Sequence, residues 1–271
     1  MRAWVNGRLL SAADEPVLSV LDHGLTVGDG AFETIKVTRG RPFALTRHLQ
    51  RLARSLQGLG LTPPAESLLR EGIDAVIGPQ DDLRLRMTVT GGPSPLGSER
   101  GSEGATVAIA TAPLNSPPSS TAAVTVPWPR NERGALAGLK TTSYAENVVA
   151  LARAKEAGAS EAIFANTVGD LCEGTGSNVF YVLDGEVVTP TLHSGCLAGI
   201  TRELILEWFD VVERDAPLSV LSEAEEIFFA STIREVQGIA RCDERELAAP
   251  GPVTAKMAER WLAMCAQQDD P

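Results

Sequence analysis

The chain has 271 residues, 24 of them basic and 35 acidic, giving a formal net charge of −11 at pH 7. Such acidity, with no basic tract to offset it, excludes nucleic acid and anionic lipid as partners, and no apolar run approaches the ~18 residues a membrane span needs. The length suits one large domain or two modest ones, and 44% hydrophobic residues with a mean hydropathy of zero describe an ordinary globular protein.

In chain order, "WVNGRLL" sets an Asn6-Gly7 pair between apolar residues, which predicts a tight hairpin. "AFETIKVTRGRPFAL" alternates like a strand and turns again at Arg39-Gly40. From Leu45, leucines at 45, 49, 52, 56 and 59 recur every three or four residues, predicting a helix stopped by Gly58 or Gly60. "LRLRMTVT" and "ATVAIATA" read as further strands on either side of a glycine-rich loop. The segment from Pro113 to Ala123 is rich in Pro and Ser and carries no charge, so it reads as a connector. The expected division is an N-terminal α+β domain over 1–114, a linker over 115–124 and a C-terminal domain over 125–271.

Beyond the connector, Ser143 with Glu146 predicts a capping box opening a helix that ends at Gly158. There follow the strand "EAIFAN", a hairpin at Asp184-Gly185 within "NVFYVLDGEVVTP", a helix from Thr201, a second capping box at Ser222/Glu225, the strand "EIFFAS" and a last helix from about Ala255 to Gln267. The fold class expected is mixed α/β, an α+β half followed by an α/β half. Four cysteines and three histidines lie far apart without C-x-x-C spacing, which excludes a zinc site and a disulfide framework and predicts no metal. The N-terminus lacks the apolar run of a signal peptide, so a cytoplasmic location is expected.

Only four of the basic residues are lysines, Lys36, Lys140, Lys155 and Lys256, so the lysine in "GLKTTSYAEN" is not a product of general lysine usage. A desolvated lysine loses its charge and adds to carbonyls, the property pyridoxal phosphate exploits. That cofactor also needs a carboxylate at its ring nitrogen and donors for its phosphate. Glu173, in "DLCEGTGSNVFYV", is the candidate carboxylate; a solvated loop glutamate is the alternative. Candidate phosphate donors are Arg51, the helix start at Ile200-Thr201, and Ser231-Thr232. Arg51 on a solvated helix face and Thr201 as a simple N-cap are the alternatives.

The order of six stretches resembles the fold-type IV pyridoxal-phosphate enzymes, the class IV aminotransferases. These are "DHGLTVGDGAFET" from Asp22, "RHLQRL" from Arg47, "LKTTSY" from Leu139, "EGTGSNVF" from Glu173, "TPTLHSGCLAGITR" from Thr189 and "FFASTIREVQGI" from Phe228. The resemblance implies a two-domain fold with a smaller N-terminal α+β domain and a larger cofactor-binding α/β domain, pyridoxal 5′-phosphate as cofactor, and a homodimer acting on a small-molecule amino substrate. It implies Lys140 as Schiff-base lysine and proton shuttle, and Glu173 as partner of the ring nitrogen. Arg51, Ile200, Thr201, Ser231 and Thr232 match phosphate-holding positions, and Tyr144 matches the tyrosine beside the cofactor.

Within the family, "GDGAFET" followed by "IKV", and the tyrosine four residues after Lys140, look more like the aminodeoxychorismate lyases, which form 4-aminobenzoate and pyruvate. Thr34 is then the catalytic threonine. A D-amino-acid or branched-chain aminotransferase is the alternative. For the substrate carboxylate, Arg100 in "GSERG" resembles a family arginine, and Arg84 and Arg86 alternate on one strand and compete for that role.

Overall fold

The computed structural model describes residues 1–271, which fold as two compact units. The first contains Met1–Asn115, Leu139–Tyr144 and Asp269–Pro271; the second contains Ser116–Gly138 and Ala145–Gln268. No helix is long and apolar enough to cross a membrane.

In the first unit the elements are β1 (Ala3–Val5), β2 (Arg8–Leu9), α1 (His23–Thr26), β3 (Gly30–Thr38), β4 (Arg41–Pro42), α2 (Leu45–Gly58), α3 (Glu66–Val76), β5 (Leu83–Thr90) and β6 (Thr106–Pro113). The strands form one antiparallel sheet in the order β2-β1-β6-β5-β3-β4. Asn6 and Gly7 take φ of 46° and 86°, the left-handed pair that a two-residue hairpin requires, and Arg39-Gly40 repeats the device. Along β3 the period of two sends Ala31, Glu33, Ile35 and Val37 to one face and Phe32, Thr34 and Lys36 to the other. The first face packs with Leu85, Met87, Val89 and Ile109 against Leu49, Leu52, Leu56, Leu69 and Ile73 of the two long helices. Burying each such side chain contributes about 1.5–3 kcal/mol.

Two distant pieces of chain complete this unit. Lys140 O accepts from Phe32 N–H at 3.0 Å, Gly30 O accepts from Thr142 N–H at 2.8 Å, and Ala31 bridges Thr141, so residues 140–142 pair with the edge of β3 that β4 leaves open. At the other end, Asp270 accepts from the backbone and hydroxyl of Thr46 at 2.9 and 2.6 Å. That puts a carboxylate on the N-terminus of α2, whose own cap residue, Ala44, has no side chain able to do so.

In the second unit the elements are β7 (Ser120–Thr125), α4 (Ala145–Glu156), β8 (Glu161–Ala165), β9 (Leu171–Gly174), β10 (Asn178–Leu183), β11 (Glu186–Thr189), α5 (Ile200–Trp208), β12 (Val212–Glu213), β13 (Glu226–Ser231), β14 (Glu235–Cys242), β15 (Arg245–Glu246) and α6 (Pro252–Cys265). The strand path runs β12-β11-β10-β13-β14-β7-β8-β9, with β15 on β14. Strand β9 pairs back onto β10 through Glu173 and Asn178, so six strands close a ring. Val179, Tyr181, Ile227, Phe229, Ile163 and Leu171 fill this unit's core.

Four expectations need correction. The second half of the linker expected over 115–124 is strand: Ser120–Thr125 is β7, paired on both edges with β14 and β8, and its small uncharged residues suit an inner strand as well as a connector. Residues 139–144 and 269–271, expected in the C-terminal domain, belong to the first unit. The box at Ser143/Glu146 does not form, because Ser143 Oγ donates to Gly28 O and Glu146 pairs with Arg130. Ser222 and Glu225 open no helix either; Ser222 ends a 3-10 turn and β13 begins at Glu226.

Candidate active site

Phe32 organises the candidate residues of the first unit. Its ring lies 4.5 Å from Lys140 Nζ and 3.7 Å from the guanidinium carbon of Arg86, and Tyr144 meets it edge-on with centroids 5.3 Å apart. Cations over an aromatic face are attracted by its quadrupole. The ladder pairs Thr34 with Arg86 and Lys36 with Arg84, so these side chains share the sheet face opposite the core with Phe32. Arg86 is solvent-accessible as a residue, yet its guanidinium is partly desolvated against the ring, which lowers its pKa; Arg84 adds to that lowering and Tyr144 opposes it. Neither Arg84 nor Arg86 pairs with a carboxylate, unlike Arg100. The backbone N–H of Lys140 donates to Ser55 Oγ at 3.1 Å, which fixes the residue from the α2 side.

On the core face of β3 lies a buried ionic group that sequence reading missed. Glu33 is fully buried, and its two oxygens accept from Arg51 Nε and Nη2 at 2.8 and 2.7 Å. His48 Nδ1 is 2.7 Å from the same carboxylate. Desolvation pushes the Glu33 pKa up, but the charges and hydrogen bonds of Arg51 and His48 outweigh it and hold the carboxyl down at about 2. For His48 burial wins, lowering its pKa against the pull of Glu33, with Arg51 and Lys140 adding to the lowering. Arg51 therefore lies in the interior rather than on the solvated helix face. A clue was legible: Glu33 occupies the buried phase of an otherwise apolar alternation, and His48 and Arg51 stand one helical turn apart.

Arg100 is placed differently from the expectation. Its Nε and Nη2 grip both oxygens of Asp29 at 2.7 Å, and its remaining donors reach Leu59 O and Gly60 O. That pairing lowers the Asp29 pKa and raises that of Arg100. With its fork already closed on a carboxylate, Arg100 is a loop anchor in this structure, not an open site for a substrate carboxylate.

In the second unit, Glu173 sits in the pair that closes the strand ring. One oxygen is 3.2 Å from Arg130 Nε and the other accepts from Leu197 N–H at 2.9 Å. Arg130, itself stacked over Phe164 at 4.2 Å, also reaches Glu146 and Asn147, so Glu173 is a half-buried, held carboxylate rather than a solvated one. Asn178, opposite Glu173 on one side and Ala230 on the other, donates to Leu197 O at 2.8 Å. These pairings bring Glu173, the 197–199 approach to α5, and the end of β13 with Ser231 to one end of the ring. Ile200 and Thr201 are buried at the first turn of α5, where Gly199 offers no side-chain cap and backbone N–H groups remain for an anion. Ser231 Oγ accepts from Arg234 N–H at 3.3 Å, and the hydroxyls of Thr201 and Thr232 make no hydrogen bond. Arg130, in the loop "PWPRNERG", gave no local signal.

Comparison with known proteins gives the fold a family. The profile described as "Amino-transferase class IV" matches residues 30–242. A putative branched-chain-amino-acid aminotransferase of Methanocaldococcus jannaschii is 32% identical, over 96% of this chain and 95% of its own. The aminodeoxychorismate lyase of Bacillus subtilis is 28% identical, over 89% and 86%. The crystal structure of a branched-chain aminotransferase from Thermoproteus uzoniensis with norvaline superposes with a TM-score of 0.90 at 30% identity, covering 100% of this chain and 96% of that one. The mixed α/β architecture and the six sequence blocks thus have one explanation: the chain belongs to the class IV aminotransferase family.

Proposed function

We propose that this protein is a pyridoxal 5′-phosphate enzyme that removes the α-proton of a small amino-acid substrate and completes an amino transfer. The observation that carries the reading is the cluster of Lys140, Arg86 and Tyr144 around Phe32, an amine and a carboxylate-free guanidinium held on one ring. Class IV aminotransferases use this cofactor, and the donor set here fits it. Glu173 suits the ring nitrogen, and the first turn of α5 with Ser231 and Thr232 suits the phosphate, whereas Arg51, expected to join them, has its Nε and Nη2 closed on Glu33. When bound, the cofactor supplies an aldehyde for the substrate amine and an electron sink for the bond that breaks.

Lys140 Nζ takes the proton from the substrate α-carbon and returns it at the end of the half-reaction. Arg86 holds the substrate carboxylate, with Arg84 two residues away on the same face, so the α-carbon is oriented toward that amine. Arg130 and the Leu197 N–H keep Glu173 aimed. Tyr144 meets edge-on the same Phe32 ring that lies beside the amine.

Aminodeoxychorismate lyase is the second reading. It is favoured by Thr34, whose side chain shares the Lys140 face and pairs in register with Arg86, a place from which a hydroxyl can pass a proton to a leaving group. The Bacillus subtilis relative supports it; the Methanocaldococcus and Thermoproteus relatives support amino transfer. Borohydride reduction of cofactor-loaded protein followed by mass spectrometry tests the common core, since an adduct at any residue other than Lys140 sinks it. Side-by-side assays separate the readings: keto-acid-dependent transfer of an amino group supports the first, and release of 4-aminobenzoate and pyruvate without a keto acid supports the second.

A homodimer belongs to the same proposal. Leu18, Val20, Leu25 and Val27 are exposed, and Leu96 joins them because the Ser94 N–H donates to Leu21 O and Asp22 bridges Pro93. An apolar patch of this kind suits a partner surface. Four cysteines outside any disulfide suit a reducing, cytoplasmic setting.

A further inference from the structure

Glu161, the first residue of β8, has no part in the reading above. Its carboxylate is 4% exposed and accepts from Ser177 Oγ at 2.7 Å, Gly176 N–H at 3.0 Å and Thr175 Oγ1 at 3.3 Å. These are consecutive residues of the turn that joins β9 to β10, directly after Glu173. Gly174 makes the approach possible, because a Cβ there would stand 2.5 Å from Glu161 Oε2. The fourth partner is Arg234, whose Nε lies 2.5 Å from the other oxygen. Arg234 belongs to the turn between β13 and β14, where its backbone N–H donates to Ser231 Oγ at 3.3 Å and its side chain reaches Gln237 and Ser160 O.

One buried carboxylate therefore ties the turn after Glu173 to the turn after Ser231 and Thr232. Closing the first of these turns does not require it. Gly174 N–H already donates to Ser177 O at 2.8 Å, Thr175 N–H to Ala162 O at 3.0 Å, and Asn147 Nδ2 to Thr175 O at 2.5 Å. Burying a charge where backbone bonds suffice adds little stability, so its value lies in fixing geometry.

We infer that Glu161 is a positioning residue that holds Glu173 on one side and Ser231 with Thr232 on the other at a fixed spacing, through the 174–177 turn and Arg234 respectively. This rests on the proposed cofactor site. Its consequence is that the ring-nitrogen carboxylate and the phosphate hydroxyls move together when Glu161 is altered.

The test titrates apo-protein with pyridoxal 5′-phosphate and with unphosphorylated pyridoxal, recording affinity, the absorption maximum of the bound form and the melting temperature of the apo-protein. Glu161→Gln keeps an acceptor for the turn but loses the pairing with Arg234; the expected result is about tenfold weaker pyridoxal 5′-phosphate binding with a shifted absorption maximum. Ser177→Ala removes one small hydroxyl, and about threefold weaker binding with the melting temperature unchanged is expected. Should Glu161→Gln not fold, Ser177→Ala decides alone. Pyridoxal binding reports the Glu173 side separately from the phosphate side, and a loss seen with both compounds is expected. Variants with wild-type affinity and absorption maximum overturn the inference, whatever their melting temperature. Wild-type protein that takes up no pyridoxal 5′-phosphate overturns the functional reading, and this inference with it.

Discussion

Replacing Glu33 by Gln tests whether the buried group on β3 is held by charge. In the folded chain the carboxyl titrates at about 2 against an ordinary value of 4.5. A difference of 2.5 units, at 1.36 kcal/mol each, makes the ionised group worth about 3 kcal/mol of stability at neutral pH. Removing one member of a buried ion pair costs about 3–5 kcal/mol, because Arg51 is left buried without its counter-ion, so the two routes agree in size. The sign follows from linkage. A depressed carboxyl pKa stabilises fully above pH 4.5, and that stabilisation is lost as pH falls toward 2. At pH 3 roughly 1.5 kcal/mol of it remains. His48 acts in the same direction: burial lowers its folded pKa, so the unfolded chain takes up the proton first as pH drops below 6.5, and folding weakens. Urea unfolding of wild type and Glu33→Gln at pH 7 and pH 3 measures both effects. The gap between the proteins is expected to be about 3 kcal/mol at pH 7 and to shrink by about half at pH 3. A gap under 1 kcal/mol, or one that does not change with pH, refutes the reasoning.

The other predictions concern the two arginine sites, one glycine and the exposed patch. Arg86→Met is expected to raise the KM for carboxylate substrates about 10- to 100-fold, because a charge-assisted contact is lost, whereas Arg100→Met leaves KM within about threefold. The Arg100–Asp29 pair is partly exposed and contributes about 1 kcal/mol at most, so thermal unfolding of Arg100→Met shifts only a few degrees; the opposite pattern of KM values returns Arg100 to the substrate. Gly199→Ala places a Cβ 2.0 Å from Asn178 Oδ1. Displacing Asn178 frees the 197–199 segment that holds Glu173, and cofactor affinity measured by absorbance titration is expected to fall about tenfold, alongside about 1–3 kcal/mol of lost stability. Val20→Asp with Leu25→Asp is expected to convert a dimer to a monomer in sedimentation velocity, and an unchanged mass speaks against that surface.

Local chemistry made most elements readable. The hairpins at Asn6-Gly7, Arg39-Gly40 and Asp184-Gly185 each needed positive φ at both central residues, and the α2 leucines have one period and one face. What escaped depended on neighbours distant in sequence. Helix α3 hides its Leu69, Ile73 and Val76 among charged residues and Gly72. Strand β7 looked like a connector until β14 and β8 bounded it. The Ser143 and Ser222 boxes had the right letters, yet Gly28 O, Arg130 and Ser219 O claimed those side chains. Among the candidate site residues, Lys140, Glu173 and Tyr144 were picked out by the motif blocks. The restraints on them, namely Phe32 under Lys140, Glu33 on Arg51 and Arg130 on Glu173, come from pairings across 18 to 108 positions, which no local pattern encodes.

The hexapeptide Leu139–Tyr144 sits among neighbours that fold with the second unit, while its hydrogen bonds go to β3 and α2. A chimaera exchanging the first 115 residues with those of a relative would import a foreign β3 rim and ask the native hexapeptide to dock on it. Recombination that respects these bonds must transplant three pieces at once: the N-terminal stretch, the hexapeptide and the final three residues. Modular shuffling at a single crossover would therefore leave Lys140 on mismatched scaffolding, even where every core residue is conserved in type.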